Sequence, residues 1–335
     1  MFWHRERLEF TFHFLSDRTG EIEKQKRRKA LPDKNSKEIS DAFQSSFAEV
    51  NGVRLHYVST GQGKLVMFVH GFPQYWAQWE NQLIEFGKTH KAVALDMRGY
   101  NLSSKPSDVE QYNIKELIED LRALAVHLGH KKFILVAHDW GGAVAWSFAM
   151  RHPEWLEKLI IINAPHPAIF ARELLYNTAQ QKASGYMILF RSPEAEQELS
   201  ANNYAWLRDA LFKWGSKWEY TEELQNKYIT AWSQPGALTG GLNYYRASPI
   251  YPPTSNEDER RIKEIMNLPR EMFAVKVPTL VIWGELDQAL LVGNLTGLEE
   301  YFDDLTIERI PDGSHWVVQE QPELVNSLIR EFISQ

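Results

Sequence analysis

The chain has 335 residues, enough for one large domain with a sizeable insertion or for two small ones. A formal net charge of −7 argues against a nucleic-acid partner, and the absence of cysteine excludes disulfides, thiolate catalysis and Cys-based metal sites. No apolar run approaches the ~20 residues that span a bilayer, and charges interrupt residues 1–7 too early for a secretory signal, so a cytoplasmic protein without a membrane span is expected.

Residues 1–45 differ from the rest. Residues 10–15 fit a short strand or a helical turn equally well, and the basic run Lys24-Gln25-Lys26-Arg27-Arg28-Lys29 reads as a solvated helix or linker. The sequence does not assign a role to this N-terminal extension; packing on the domain and subunit contact in a homodimer are two that it leaves open. From Phe47 the pattern sharpens. Residues 47–50 and 53–58 flank Asn51-Gly52 and predict a hairpin with a type I′ turn. Residues 65–69 form a buried strand ending at His70-Gly71-Phe72-Pro73-Gln74, followed by a helix over 76–88. The next strand, 92–95, leads into the turn Asp96-Met97-Arg98-Gly99-Tyr100. Asn113 caps a helix with an apolar stripe at Ile114, Leu117, Ile118, Leu121, Leu124 and Leu128, and Gly129 ends it.

Residues 133–136 are a short apolar, partly β-branched strand, and 143–150 are rich in helix formers. A strand at 159–162 follows. Between Pro167 and about Arg270 the alternation gives way to helical, aromatic-rich stretches. The core resumes with a strand over 277–284, a last strand over 305–310 and a closing helix over 322–333. Strands alternating with helices predict an α/β fold with a mostly parallel sheet flanked by helices, its functional loops at the carboxyl ends of the strands. The expected division is an α/β core at 46–167 and 271–335 and an inserted helical cap at 168–270.

Between the strand and helix that meet near residue 139 lies Ala137-His138-Asp139-Trp140-Gly141-Gly142. Strand, sharp turn and helix match the nucleophile elbow of α/β-hydrolases, with Ala137 where many elbows carry glycine. The elbow side chain here is the carboxylate of Asp139 rather than a serine. A carboxylate suits attack on saturated carbon, because displacement there leaves an alkyl ester that water can hydrolyse. Epoxide opening and carbon–halogen displacement are the reactions this points to.

Hydrolysis of that ester needs a base and a partner to orient it. Asp287, just past a strand, and His315, on the loop after the last strand, complete the order nucleophile, acid, histidine. Glu285 is the competitor for the acid, and Asp287 is favoured. Histidine suits the base because it titrates near neutrality. The backbone N–H groups of Phe72 and Trp140 fit an oxyanion hole, each donor being worth roughly 3 kcal/mol. His70 is expected to brace the Phe72 turn from behind, whereas His56, His138, His152 and His166 read as structural, for example as hydrogen-bonding groups within turns.

His70-Gly71-Phe72-Pro73, Asp96-Met97-Arg98-Gly99-Tyr100, His138-Asp139-Trp140-Gly141-Gly142 and Gly313-Ser314-His315-Trp316 resemble the soluble (α/β-hydrolase fold) epoxide hydrolases from about Phe47 to the C-terminus. That family carries two cap tyrosines that protonate or hydrogen-bond the opening ring. The resemblance places the first at Tyr186, in Gly185-Tyr186-Met187-Ile188-Leu189-Phe190, and the second at Tyr245 rather than Tyr244. It implies conversion of an epoxide to a vicinal diol with water as co-substrate and with no cofactor or metal. Haloalkane or haloacid dehalogenation is the alternative chemistry, and a non-catalytic ligand receptor the alternative class. Trp140 serves either reaction, but the Phe72 side chain cannot donate to a halide, and Trp140-Gly141-Gly142-Ala143 lacks the arginines of fluoroacetate dehalogenases. The aromatic cap, with Trp206, Trp214, Trp218 and Trp232, suggests an apolar or aromatic substrate.

Overall fold

The computed structural model describes residues 43–212 and 221–335. The basic run at 24–29 and the tryptophans Trp214 and Trp218 lie outside the described residues.

Strands β1 (Gln44–Val50) and β2 (Val53–Thr60) are joined by Asn51 and Gly52, whose φ values of 46° and 72° form the left-handed pair of a type I′ turn. With β3 (Leu65–Val69), β4 (Lys91–Leu95), β5 (Phe133–His138), β6 (Leu156–Ile162), β7 (Thr279–Gly284) and β8 (Leu305–Ile310) they make one sheet in the order β1-β2-β4-β3-β5-β6-β7-β8. β1–β2 and β2–β4 pair antiparallel and the remaining neighbours parallel. Every residue of β3, β5 and β7 is buried, as strands covered on both faces require. The strand order reverses at β3, so the carboxyl ends of β3 and β5 lie side by side with Val69 opposite Ala137.

Helix α1 (Glu80–Phe86) is preceded by a separate 3-10 turn at Trp76–Trp79 and is shorter than the single helix predicted over 76–88. Gly87 closes it: a Cβ there would lie 2.5 Å from Thr60 Cγ2. Helix α2 (Ile114–His127) is capped by Asn113, which accepts the N–H groups of Lys115 and Glu116, and it buries Leu117, Ile118, Leu121 and Leu124. Helix α3 (Trp140–Arg151) starts directly after Asp139, three residues before the predicted onset.

Among the described residues, seven helices lie between β6 and β7: α4 (Pro167–Tyr176), α5 (Thr178–Ala183), α6 (Tyr186–Arg191), α7 (Ala195–Phe212, broken at residues 201–204), α8 (Glu222–Trp232), α9 (Ala237–Ala247) and α10 (Asn256–Met266). Two more, α11 (Val317–Glu320) and α12 (Pro322–Ser334), come after β8. Trp79, Leu83, Phe86, Val325 and Ile329 cover one face of the sheet. Residues of α2, α3 and the helices after β6 pack on the other. Helix α9 sits on the 96–100 turn at backbone contact, since a Cβ on Gly240 would lie 2.4 Å from the Gly99 carbonyl oxygen. Tyr244 O–H fastens it by donating to the Arg98 carbonyl at 2.9 Å, and the buried Arg98 guanidinium pairs with Asp120 at 2.5 Å. Among the described residues no helix is long and apolar enough to cross a membrane.

Candidate active site

The strand-to-helix turn after β5 holds Asp139 at φ 51°, ψ −123°, a sparsely populated conformation for a residue with a Cβ and the one a nucleophile elbow imposes. Small residues make this possible. A Cβ on Gly71 would lie 2.3 Å from Asp139, and one on Gly141 would lie 2.3 Å from the Val69 carbonyl oxygen. The turn after β3 therefore comes close enough for Phe72 N–H to donate to Asp139 Oδ1 at 2.8 Å, and Trp140 N–H bonds the same carboxylate. His70 braces this turn: Met97 N–H donates to its Nε2 at 3.1 Å, so its Nδ1–H donates to the Gly71 carbonyl at 2.9 Å. Burial lowers the His70 pKa to about 4 and keeps the ring neutral.

The other carboxylate oxygen, Asp139 Oδ2, faces His315 Nε2 at 3.6 Å. His315 Nδ1 in turn lies 2.6 Å from Asp287 Oδ2. Asp287 is buried, and its Oδ1 accepts the N–H groups of Ala289 and Leu290. Glu285, two residues earlier, points away and pairs with Arg309. Two titration shifts follow from this geometry. Burial raises the Asp139 pKa, against the opposing pull of His315 and the two N–H donors. Burial alone would lower His315, but the charge and hydrogen bond of Asp287 and the charge of Asp139 carry its pKa above the ordinary histidine value.

Tyr186 and Tyr245 line the same cavity as Asp139 and His315, a space of about 500 Å³ including its open mouth. Their rings are 6.2 Å apart and nearly perpendicular, and Phe190 packs between them at 5.2 Å and 4.9 Å. Burial and then nearby groups, Asp139 among them, push both phenols well above their ordinary pKa, so both keep their protons. Tyr244, one helical position away, is turned to Arg98 instead. Trp206 and Trp316 complete the apolar wall. Trp232 does not line this cavity; it is buried and donates to the Pro73 carbonyl.

Two residues at the site carry roles that the sequence does not announce. Asn163, after β6 at φ 39°, donates from Nδ2 to Asp287 Oδ2 at 2.8 Å. Gln180, fully buried on α5, donates to Ser184 Oγ and the Ala289 carbonyl and accepts from Leu291 N–H and Asn294 Nδ2. It thereby fastens the loop after Asp287 to the segment leading into Tyr186. His138 has the structural role expected of it, and its partner lies across the molecule: Nε2 is 2.8 Å from the carbonyl of His315. His166 bonds the Phe273 carbonyl and His152 faces Glu154, both away from the cavity. Among the described residues no group of three His, Asp or Glu side chains gathers as a metal site.

Residues 64–322 match the model of the alpha/beta hydrolase fold family. The chain is 34% identical over 300 residues to epoxide hydrolase 2 of Caenorhabditis elegans, covering 86% of this chain and 79% of that one. It is 37% identical over 298 residues to epoxide hydrolase 4 of Mus musculus, covering 85% and 77%. The crystal structure of Bacillus megaterium epoxide hydrolase with an inhibitor superposes with a TM-score of 0.80 at 40% identity, covering 87% of this chain and all of that one. With its Asp-bearing elbow on this eight-stranded sheet, the chain belongs to the epoxide hydrolases of the α/β-hydrolase fold family.

Proposed function

We propose that this chain hydrolyses an epoxide to a vicinal diol in two steps, with Asp139 as nucleophile. The observation that carries this reading is the division of labour between the Asp139 oxygens: Oδ1 rests on Phe72 N–H while Oδ2 faces His315 across a cavity shared with two tyrosines. Oδ2 attacks a ring carbon, the carbon–oxygen bond of the ring breaks, and Tyr186 or Tyr245 gives its proton to the leaving alkoxide. Oδ1 becomes the carbonyl oxygen of the ester.

Esterification removes the negative charge facing His315 Nε2, so the imidazole loses one of the influences that raise its pKa and becomes a competent base. His315, oriented by Asp287, takes a proton from water, whose oxygen attacks Asp139 Cγ. The Phe72 and Trp140 N–H groups hold the oxyanion on Oδ1. Collapse breaks the bond between Cγ and the alkyl oxygen, His315 protonates the departing diol, and the net proton released from water restores the tyrosine. Residues 168–270 serve as the cap that supplies both tyrosines. The apolar wall of Phe190, Trp206 and Trp316 supports an apolar or aromatic substrate. Dehalogenation has less support, because the Phe72 side chain packs on Phe190 and Tyr245 and offers a halide no donor.

The test is intact-protein mass spectrometry after incubation with styrene oxide. The His315→Gln protein is expected to gain the mass of one whole epoxide, mapped to Asp139, while the wild type shows no lasting adduct. Labelling by a haloalkane but not by the epoxide would make this a dehalogenase. No adduct from either reagent would remove Asp139 from the reaction.

A further inference from the structure

Apart from Asp139, His315 and Asp287, a serine–histidine–aspartate series lies at the antiparallel edge of the sheet, where the epoxide reaction does not use it. Ser45 on β1 stands directly opposite Val58 on β2, and its diagonal neighbour on the same face is His56. Ser45 Oγ is 2.9 Å from His56 Nε2, and His56 Nδ1 is 2.7 Å from Asp96 Oδ2. The order of contacts sets the tautomer of the neutral ring. The Asp96 carboxylate already accepts Trp76 N–H on Oδ1 and Asn101 Nδ2 on Oδ2, so the nitrogen facing it is the His56 N–H. In the neutral imidazole Nε2 is then the lone pair, and the Ser45 hydroxyl donates to it.

The base is also held rigidly. His56 and Asp96 are buried, the His56 backbone N–H donates to Ser103 Oγ at 2.9 Å, and Asp96 N–H donates to the His56 carbonyl at 2.9 Å. Ser45 itself is exposed. Beside it on the same face, the half-exposed Phe47 ring lies 5.1 Å from the His56 ring, with the Arg54 guanidinium 3.7 Å over its outer side.

We propose that Ser45 is a second nucleophile, of serine type, that accepts acyl groups from activated aryl esters independently of Asp139. A nucleophile, a neutral imidazole within reach of its proton and a carboxylate holding the imidazole tautomer are the three parts that activate a serine. Ser45 Oγ forms a bond to the acyl carbon and the bond from that carbon to the aryl oxygen breaks. The serine proton passes to His56 Nε2 and then to the departing phenoxide. Phe47 offers the aryl portion an aromatic face.

The experiment treats the full-length protein with p-nitrophenyl acetate, follows p-nitrophenol release and maps acetyl groups by peptide mass spectrometry. Ser45 is expected to acetylate at least about 10-fold faster than the exposed Ser107, which serves as an internal control in the same sample. Ser45→Ala is expected to remove this fast phase and leave epoxide turnover unchanged. A His56→Gln protein that still turns over epoxide is expected to acetylate Ser45 at the rate of Ser107. Acetylation of Ser45 no faster than of Ser107 in the wild type overturns the proposal, as does an unchanged Ser45 rate in a folded His56→Gln protein.

Discussion

Asn163 Nδ2 lies 2.8 Å from Asp287 Oδ2, the same oxygen that His315 Nδ1 meets at 2.6 Å. The Asn163 carboxamide also bonds both the carbonyl and the N–H of Gly284, so it bridges the ends of β6 and β7 and fixes the acid on that bridge. Asn163→Gly keeps the left-handed backbone and deletes the bridge. Losing a hydrogen bond to a charged group costs about 1.5–3 kcal/mol, so ester hydrolysis is expected to slow roughly 10- to 100-fold. Single-turnover kinetics should show that slowing in the second step, with alkylation of Asp139 much less affected.

The two titration shifts predict an asymmetry between kcat/KM and kcat. In the free protein Asp139 must be ionised to attack, and its raised pKa means that kcat/KM falls with acid at a higher pH than for an ordinary aspartate. In the ester the charge of Asp139 is gone, so His315 titrates lower than it does in the free protein. Where hydrolysis of the ester limits turnover, the acid limb of kcat reports this lowered His315. A pH profile in which it matched a directly titrated free His315 would contradict the charge-relief argument.

Tyr186→Phe and Tyr245→Phe each leave one phenol facing the cavity. General acid catalysis is worth roughly 10²–10⁴ in rate, so each single variant is expected to lose part of that in the alkylation step and the double variant nearly all of it. Tyr244→Phe should leave the chemistry intact and instead cost about 1 kcal/mol of stability, because its hydroxyl is spent on the Arg98 carbonyl. Burst kinetics and thermal unfolding of the three single variants distinguish these outcomes.

Gln180→Met preserves shape and removes four hydrogen bonds at once. Leu291 N–H and Asn294 Nδ2 both lose an acceptor, for a cost of about 2–4 kcal/mol, which a lowered Tm would report. Because the released loop runs on from Asp287, ester hydrolysis is expected to slow as well. A stable variant with unchanged kinetics would show that the loop holds without Gln180.

Much of the local structure was legible because it is written in short-range physics. Asn51-Gly52 imposes its turn, Asn113 caps its helix, and the strands on either side of the elbow announce themselves by unbroken apolar runs. Asp139, Asp287 and His315 could be singled out because each falls at a strand end in a fixed chain order, and the structure brings the three side chains together. The helix expected over 76–88 ends at Phe86, and the next position is held to glycine by Thr60 of β2, which a Cβ there would meet at 2.5 Å.

What the sequence determined by itself was the set of residue types that point to this chemistry: a carboxylate on a tight turn, a histidine on the loop after the last strand, and small residues where the backbone must come close. The tertiary structure alone decided which oxygen of Asp139 rests on Phe72 N–H and which faces His315, and which side chains hold Asp287 and His315 in place. Asn163, Gln180 and His138 reach partners 124, 109 and 177 residues away. Such contacts leave no periodicity in the chain, because they exist only once sheet and helices have stacked and brought these buried polar groups within reach of one another.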